Sequence, residues 1–418
     1  MKKFACFTLL VLLAFVLMAC RSVEDTPAAD PDPPAPVVEA TPEPAPEVED
    51  PDDDADDADL PPEGAELVTS GDWIIGIITG TVTQGEEEYL AATNMQAYFG
   101  SDRIVRTTYP DQFGPEMETT IANVQWLVDQ GAQAIVFVQA VPGTIPAIQQ
   151  AREVNPDILL FAGVTHDPPR DIAEHADVAV ISDDLNVGPV IVRQAYNMGA
   201  DTMAHISFPR HLGMENIAVR RERMYATARE LGMEWIEVTA PDTMTEGLPV
   251  AQNFIIEEIP RLVEEHGNRV AFFSTNCGMQ EPLITQIINY GGFYPLQCCP
   301  SPFHALPAAL NIDLEGRAGD VGFVLEALQE MVTARGATGR ISTWPVPVNM
   351  LLIEVGVRYS IEYLEGNLTS RTDEAALTRI FNEVAGSFGG DGIEVSNWID
   401  DDGVIDNFFL IMSSFIEF

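Results

Sequence analysis

Two kinds of hydrophobic pattern take turns along this chain from Trp73 to Leu364: short continuous apolar runs, and longer stretches with apolar residues every third or fourth position. The run Trp73 to Thr79 (WIIGIIT) lies between Gly71-Asp72 and Gly80, as expected of a parallel strand covered on both faces. A helix is predicted from Glu86 to Phe99, a strand over Arg103 to Thr108, and a helix with Ile121, Val124, Leu127 and Val128 on one face that stops at Gly131. Strand Ala134 to Val138, helix Thr144 to Val154 and strands Ile158 to Gly163 and Asp177 to Ile181 follow.

The pattern is organised around Val178 to Asp201. An apolar run breaks at Asp183-Asp184, restarts as a helix after Gly188-Pro189 with Ile191, Ala195 and Met198 on one face, and stops at Gly199. Beyond it the alternation repeats: strand Thr202 to Ser207, helix Glu215 to Leu231, strand Trp235 to Thr239, helix Val250 to His266, strand Arg269 to Ser274 and helix Glu281 to Tyr290. Another strand is expected over Phe293 to Cys298 and a helix over Gly319 to Ala334. Trp344-Pro345-Val346-Pro347 then breaks the chain before a helix from Met350 to Leu364. Such alternation implies right-handed crossovers and doubly wound parallel sheets. The central stretch reads either as a connector between two α/β lobes or as one more unit of a single sheet.

Its order of strand, Asp, Gly, helix, Gly and strand resembles the first inter-lobe crossing of the type I periplasmic binding proteins, the clamshell receptors of importers for sugar-like and nucleoside-like solutes. The resemblance covers Trp73 to the C-terminus in element order. It implies two Rossmann-like lobes joined by a multi-strand hinge, with residues 71–184 and 342–390 in the first and 185–341 and 391–418 in the second. It also implies a small polar ligand in the cleft, an ABC-type permease as partner, a monomer and no cofactor. Two alternatives remain open: a sensor that hands its closed form to a membrane signalling partner, and an enzyme using the acidic loops with a divalent metal.

Ligands of open parallel sheets bind beyond the carboxyl ends of the strands. The candidates are therefore Thr79, Thr81, Gln84, Gln139, His166 and Asp183 in the first lobe, and Arg210, His211, Arg220 and Asn276 in the second, with Phe303 and Trp344 as stacking faces. The family places an arginine near the helix that carries Arg220 and often an Asn or Asp where Asn276 stands. Met224-Tyr225 replaces the Gly-Phe that usually follows the arginine. Each candidate has a plainer role: Asp183 as a helix cap, Arg220 as partner of Glu222, the aromatic residues as core.

The N-terminus changes the domain count. Lys2-Lys3, an apolar run from Ala5 to Ala19 and then Cys20 make a secretory signal over residues 1–20, and Leu17-Met18-Ala19-Cys20 resembles the bacterial lipobox, with Cys20 the lipidated residue. Residues 21–70, rich in Pro, Ala, Asp and Glu, have the composition of a disordered tether, on the order of 40 Å as a coil. The body is then expected on the outer side of a bacterial membrane, held by its lipid.

Charge excludes other classes. Residues 65–418 carry 18 basic and 49 acidic side chains, a net of -31, which repels nucleic acid and anionic lipid. After Lys3 there is no lysine, and with it go P-loop phosphate binding and Schiff-base chemistry. Neither a dinucleotide fingerprint nor a G-x-S-x-G or H-E-x-x-H pattern is present. Cys277, Cys298, Cys299 and His304 match no zinc-binding spacing, so buried thiols are expected and no metal site.

If Cys20 carries the lipid, Cys20→Ser is expected to move the protein from the membrane to the soluble fraction on cell fractionation. Unchanged membrane association would contradict the assignment.

Overall fold

The computed structural model describes residues 71–418, apart from 315, 318 and 391. The signal sequence, the tether and Cys20 lie outside the described residues. The described residues cluster as one compact unit.

The first lobe alternates β1 (Ile75–Thr79), α1 (Val82–Phe99), β2 (Ile104–Thr108), α2 (Met117–Asp129), β3 (Ala134–Val138), α3 (Thr144–Val154), β4 (Leu159–Gly163), α4 (Pro169–Ala173) and β5 (Val178–Ser182). The second runs α5 (Val187–Met198), β6 (Thr202–Ser207), α6 (Pro209–Leu212), α7 (Glu215–Glu230), β7 (Glu234–Thr239), α8 (Leu248–His266), β8 (Val270–Ser274), α9 (Gln280–Tyr290), α10 (Leu306–Leu310), α11 (Val321–Ala334) and β9 (Ser342–Thr343). The chain then returns through α12 (Val348–Leu364), α13 (Glu374–Ser387), β10 (Ile393–Asp400) and β11 (Gly403–Ser413) before ending in β12 (Ile416–Glu417).

A seven-stranded sheet has the order β10-β11-β5-β4-β3-β1-β2, parallel throughout except for the antiparallel edge strand β10. Every residue of β1, β3 and β4 is buried, which is why those runs read as continuous apolar segments. The second sheet is β7-β6-β8, extended past β8 by isolated bridges at Phe293 and Tyr294 and then by the β9–β12 pair. The predicted strand over Phe293 to Cys298 shrinks to those bridges.

The C-terminal segment corrects the expected division. Residues 393–413 form a hairpin in the first sheet, with Phe408–Ile411 lying parallel to Ala179–Ser182. Only the last residues join the second lobe, where Ile416 and Glu417 pair with Thr343 and Ser342 and Phe418 enters the core. Arg170 fixes the hairpin by gripping the Asp400 carboxylate, and Asn407 Nδ2 donates to the carbonyls of Ala173 and Ala176, each at 2.9 Å. The chain thus crosses between lobes at 182–187, 343–348 and 413–416. Among the described residues no helix is long and apolar enough to cross a membrane.

Helix α12 lies across β3 and β4 and is buried along nearly its whole length. Its Gly356 allows the approach: a Cβ there would sit 2.6 Å from Val136 Cγ1 and 3.0 Å from Phe161 Cδ1. Gly356→Ala is expected to destabilise the protein by about 1–3 kcal/mol through overpacking. A lower denaturation midpoint with an unchanged m-value would show it; a wild-type midpoint would contradict it.

Candidate functional site

The carboxyl end of β5 starts the site. Asp183 is turned inward: its N–H donates to Ile411 O at 2.9 Å, and its carboxylate accepts from Asn186 N at 2.9 Å and Asn186 Nδ2 at 2.7 Å. That is a local cap holding the entry to α5. The next residue, Asp184, instead reaches Arg220 at 3.7 Å across the first crossing. Burial raises the Asp184 carboxyl above its usual range against the opposing pull of Arg220.

Arg220 is brought there by helix packing. Where α5 meets α7, Gly188 has no side chain, and a Cβ would meet Arg220 O at 2.8 Å and Met224 Cγ at 2.9 Å. The close approach sets Arg220 at the crossing, 5% exposed, with its guanidinium 5.3 Å from the Phe273 ring centroid. Arg220 Nε is buried and has no hydrogen-bond partner, and the same holds for Trp344 Nε1 in the second crossing. Both residues line one narrow cavity with Ser182, Asp184, Phe273, Gln297 and Cys298, which has room for about a single water.

Beside it the lobes touch through polar groups. Ser301 Oγ donates to Glu87 Oε1 at 2.7 Å, joining the second lobe to α1. Burial pushes the Glu87 carboxyl up to about 7, more than the Ser301 hydrogen bond pulls it down, with Glu88, His304 and Cys299 as the nearby charges. The neighbouring Glu88 accepts from Gln139 Nε2 at 2.7 Å and from Asn349 Nδ2 of α12 at 3.0 Å. Gly85, kinked at φ -158° and ψ 71°, makes room for it: a Cβ there would fall 1.5 Å from Glu88 Oε1.

The cysteines are neither scattered nor fully buried. Cys277 and Cys299 are exposed, and Cys298 partly so. Cys277 Sγ lies 3.1 Å from Cys298 Sγ and 3.3 Å from Cys299 Sγ. Hydrogen bonds from Cys298 and Cys299 pull the Cys277 thiol well below its usual range. Contact with Cys277 in turn pushes the Cys298 and Cys299 thiols up.

Of the residues proposed from sequence, the structure brings Arg220 and Trp344 together at the cavity. Others serve the scaffold. Thr79 Oγ1 donates to Gly80 O at 2.8 Å, Thr81 Oγ1 to Asp111 Oδ1 at 2.6 Å, and Gln84 Nε2 to Asp111 O. Gln139 holds Glu88, and His166 lies edge-on to Phe113 with ring centroids 5.5 Å apart. Arg210 forms a two-pronged pair with Asp242 at 2.8 and 2.9 Å. His211 Nδ1 is 3.1 Å from Thr275 Oγ1, and burial lowers its pKa. Asn276 Oδ1 accepts from Gly278 N at 3.0 Å, and Phe303 packs against both cores. The sequence reading missed Asp184, Glu87 and the convergence of Cys277, Cys298 and Cys299. The Asp183-Asp184 pair was a usable signal for the first; Glu87, inside Glu86-Glu87-Glu88, looks like any solvated helix face.

Two open parallel sheets with their carboxyl edges turned to one interface, linked by chain crossings, define the type I periplasmic-binding-protein fold. The family described as "Protein of unknown function (DUF3798)" matches residues 73–342, and the chain belongs to that family. It is similar to two proteins of Treponema pallidum (strain Nichols), each described as an uncharacterized protein. One is 36% identical over 166 residues, spanning 39% of this chain and 76% of that one. The other is 33% identical over 178 residues, spanning 41% and 80%. Among solved structures, a putative transcriptional regulator from Clostridium difficile 630 has a TM-score of 0.75 at 21% identity, over 84% of this chain and 100% of that chain. That likeness concerns the fold.

Glu87 gives the site a pH signature. The unfolded chain releases its proton near the ordinary 4.5 and the folded one near 7, so over that window the folded state holds more protons and stability falls as pH rises. Glu87→Gln is expected to remove that part of the fall: variant and wild type melt alike near pH 4.5, and the variant melts progressively higher toward pH 7. Parallel melting curves across this range would contradict the raised carboxyl.

Proposed function

We propose that this protein is a solute receptor that closes its two lobes on a small polar molecule at the Arg220–Trp344 cavity. The observation that carries the reading is the pair of buried, unpartnered donors, Arg220 Nε and Trp344 Nε1, on one cavity between the chain crossings. Buried donors are almost always satisfied in folded proteins, so two at one place call for acceptor atoms from elsewhere. Asp184 and Ser182 add groups able to hold hydroxyls, while Val187, Ile191, Phe273 and Leu296 give apolar walls. This is the complement of a hydroxylated or heterocyclic solute, sugar-like or nucleoside-like. Because the cavity admits about one water, a solute enters with the lobes apart, and binding draws an open–closed equilibrium toward closure.

The lipobox-like Leu17-Met18-Ala19-Cys20 supports a body held outside the cytoplasmic membrane, where a receptor of this kind hands its solute to an ABC-type permease.

Native mass spectrometry of protein purified without denaturation is expected to show a small-molecule adduct that unfolding releases. Arg220→Gln and Trp344→Phe each remove one charge-assisted or neutral hydrogen bond, and are expected to weaken binding of that compound by roughly ten- to a hundred-fold. A thermal-shift screen of sugars and nucleosides covers a ligand lost in purification. Absence of any adduct and of any stabilising compound, or full ligand stabilisation in both variants, would contradict the assignment.

A further inference from the structure

Loops after β8 and after the bridge at Tyr294 bring four metal-ligating side chains to one point. Cys277, Cys298 and Cys299 each offer a sulfur and His304 one imidazole nitrogen, and these atoms all lie within 4.8 Å of one another. We propose that they form a mononuclear site for a thiophilic d10 cation, zinc(II) or copper(I), on the second lobe's side of the cleft. The proposal goes beyond the receptor reading and does not depend on it, since every ligand comes from a single lobe.

Donor chemistry selects the ion. Three thiolates and an imidazole suit zinc or copper(I), and exclude the oxygen-seeking calcium and magnesium. Geometry needs little adjustment. Tetrahedral zinc, with zinc–sulfur bonds near 2.3 Å, sets sulfurs about 3.8 Å apart. The spacings of 3.1 and 3.3 Å therefore require outward shifts of about half an ångström from side chains that are exposed at Cys277 and Cys299 and half-buried at Cys298.

Surrounding hydrogen bonds hold the ligands in place. His304 Nδ1 lies 2.7 Å from Cys299 O; a carbonyl only accepts, so Nδ1 carries the hydrogen and Nε2 keeps its lone pair. Gln297 Nε2 donates to Ser301 O at 2.9 Å and to His304 O at 3.3 Å, and Gln297 Oε1 accepts from Thr343 Oγ1 at 2.7 Å, which pins the loop carrying Cys298, Cys299 and His304. On the other loop, Asn276 Oδ1 accepts from Gly278 N at 3.0 Å and Gln252 Nε2 donates to Gly278 O at 3.0 Å, fixing the turn that starts at Cys277. Cys298 also lines the Arg220–Trp344 cavity, so a bound ion stands at the wall of the solute site. Binding displaces the thiol protons to solvent and involves no change of oxidation state for zinc.

The test uses the full chain, isolated without oxygen, freed of metal by a chelator and titrated with zinc against a chromogenic competitor, with cobalt(II) as a spectroscopic probe. Uptake of one zinc per chain is expected, together with sulfur-to-cobalt charge-transfer bands and the intense visible bands of tetrahedral cobalt(II). Cys299→Ser and His304→Ala are each expected to weaken zinc binding by at least about a hundred-fold, and Cys299→Ser to lower the charge-transfer intensity. Metal-free melting of both variants checks that they fold, and either one alone suffices. Zinc uptake well below one equivalent with the thiols free overturns the proposal, as does uptake unchanged in the folded variants. Recovery of Cys277 in a disulfide with Cys298 or Cys299 from protein isolated without oxygen overturns it in favour of a redox pair.

Discussion

The site depends on a buried guanidinium whose hydrogen bonds are not all filled from within the protein. Arg220 sits against Phe273 and faces Asp184 at 3.7 Å, yet its Nε has no acceptor. Taking an arginine out of water is costly unless its donors are met, and leaving one unmet wastes part of what the fold could gain. An acid-rich chain had carboxylates to spare for this position. Instead the lining adds a second unmet donor, Trp344 Nε1, and amide, hydroxyl and apolar groups around it. A binding site is the environment in which that arrangement becomes favourable, because the acceptors arrive with the solute.

The scaffold serves this constraint at several removes. Gly188 lets α7 approach α5 and so places Arg220 at the crossing; Gly356 lets α12 lie on β3 and β4. Gly85 lets Glu88 fold back to Gln139 and Asn349, tying α1, the end of β3 and α12 into one unit at the first lobe's cleft edge. Ser301 to Glu87 is the hydrogen bond that spans the lobes beside the cavity. The raised Glu87 carboxyl avoids setting a second bare negative charge beside Glu88 in a body already strongly acidic.

Periodicity made most elements legible. Ala134–Val138, Thr144–Val154 and Thr202–Ser207 agree residue for residue with their predicted spans, because buried parallel strands and one-faced helices leave unmistakable hydrophobic patterns. Residues 391–418 were assigned to the second lobe for a physical reason: the resemblance supplies an order of elements, while the choice of sheet is made by Phe408–Ile411 against Ala179–Ser182 and by Arg170 on Asp400, contacts spanning more than 200 residues. At the site the same limit applies. Asp183 and Asp184 are adjacent and chemically alike, and only the turn geometry makes one a cap and the other a cleft residue. Cys277 and Cys298 come together because parallel neighbours bring the ends of β8 and of the next segment side by side, which a search for local metal-binding spacings does not see.

A crystal structure of protein purified without denaturation tests the central claim most directly. The account predicts density for a small molecule between the lobes, with acceptor atoms in hydrogen-bond range of Arg220 Nε and Trp344 Nε1. Density elsewhere, with both donors bonded to protein groups and the lobes unchanged, would contradict it.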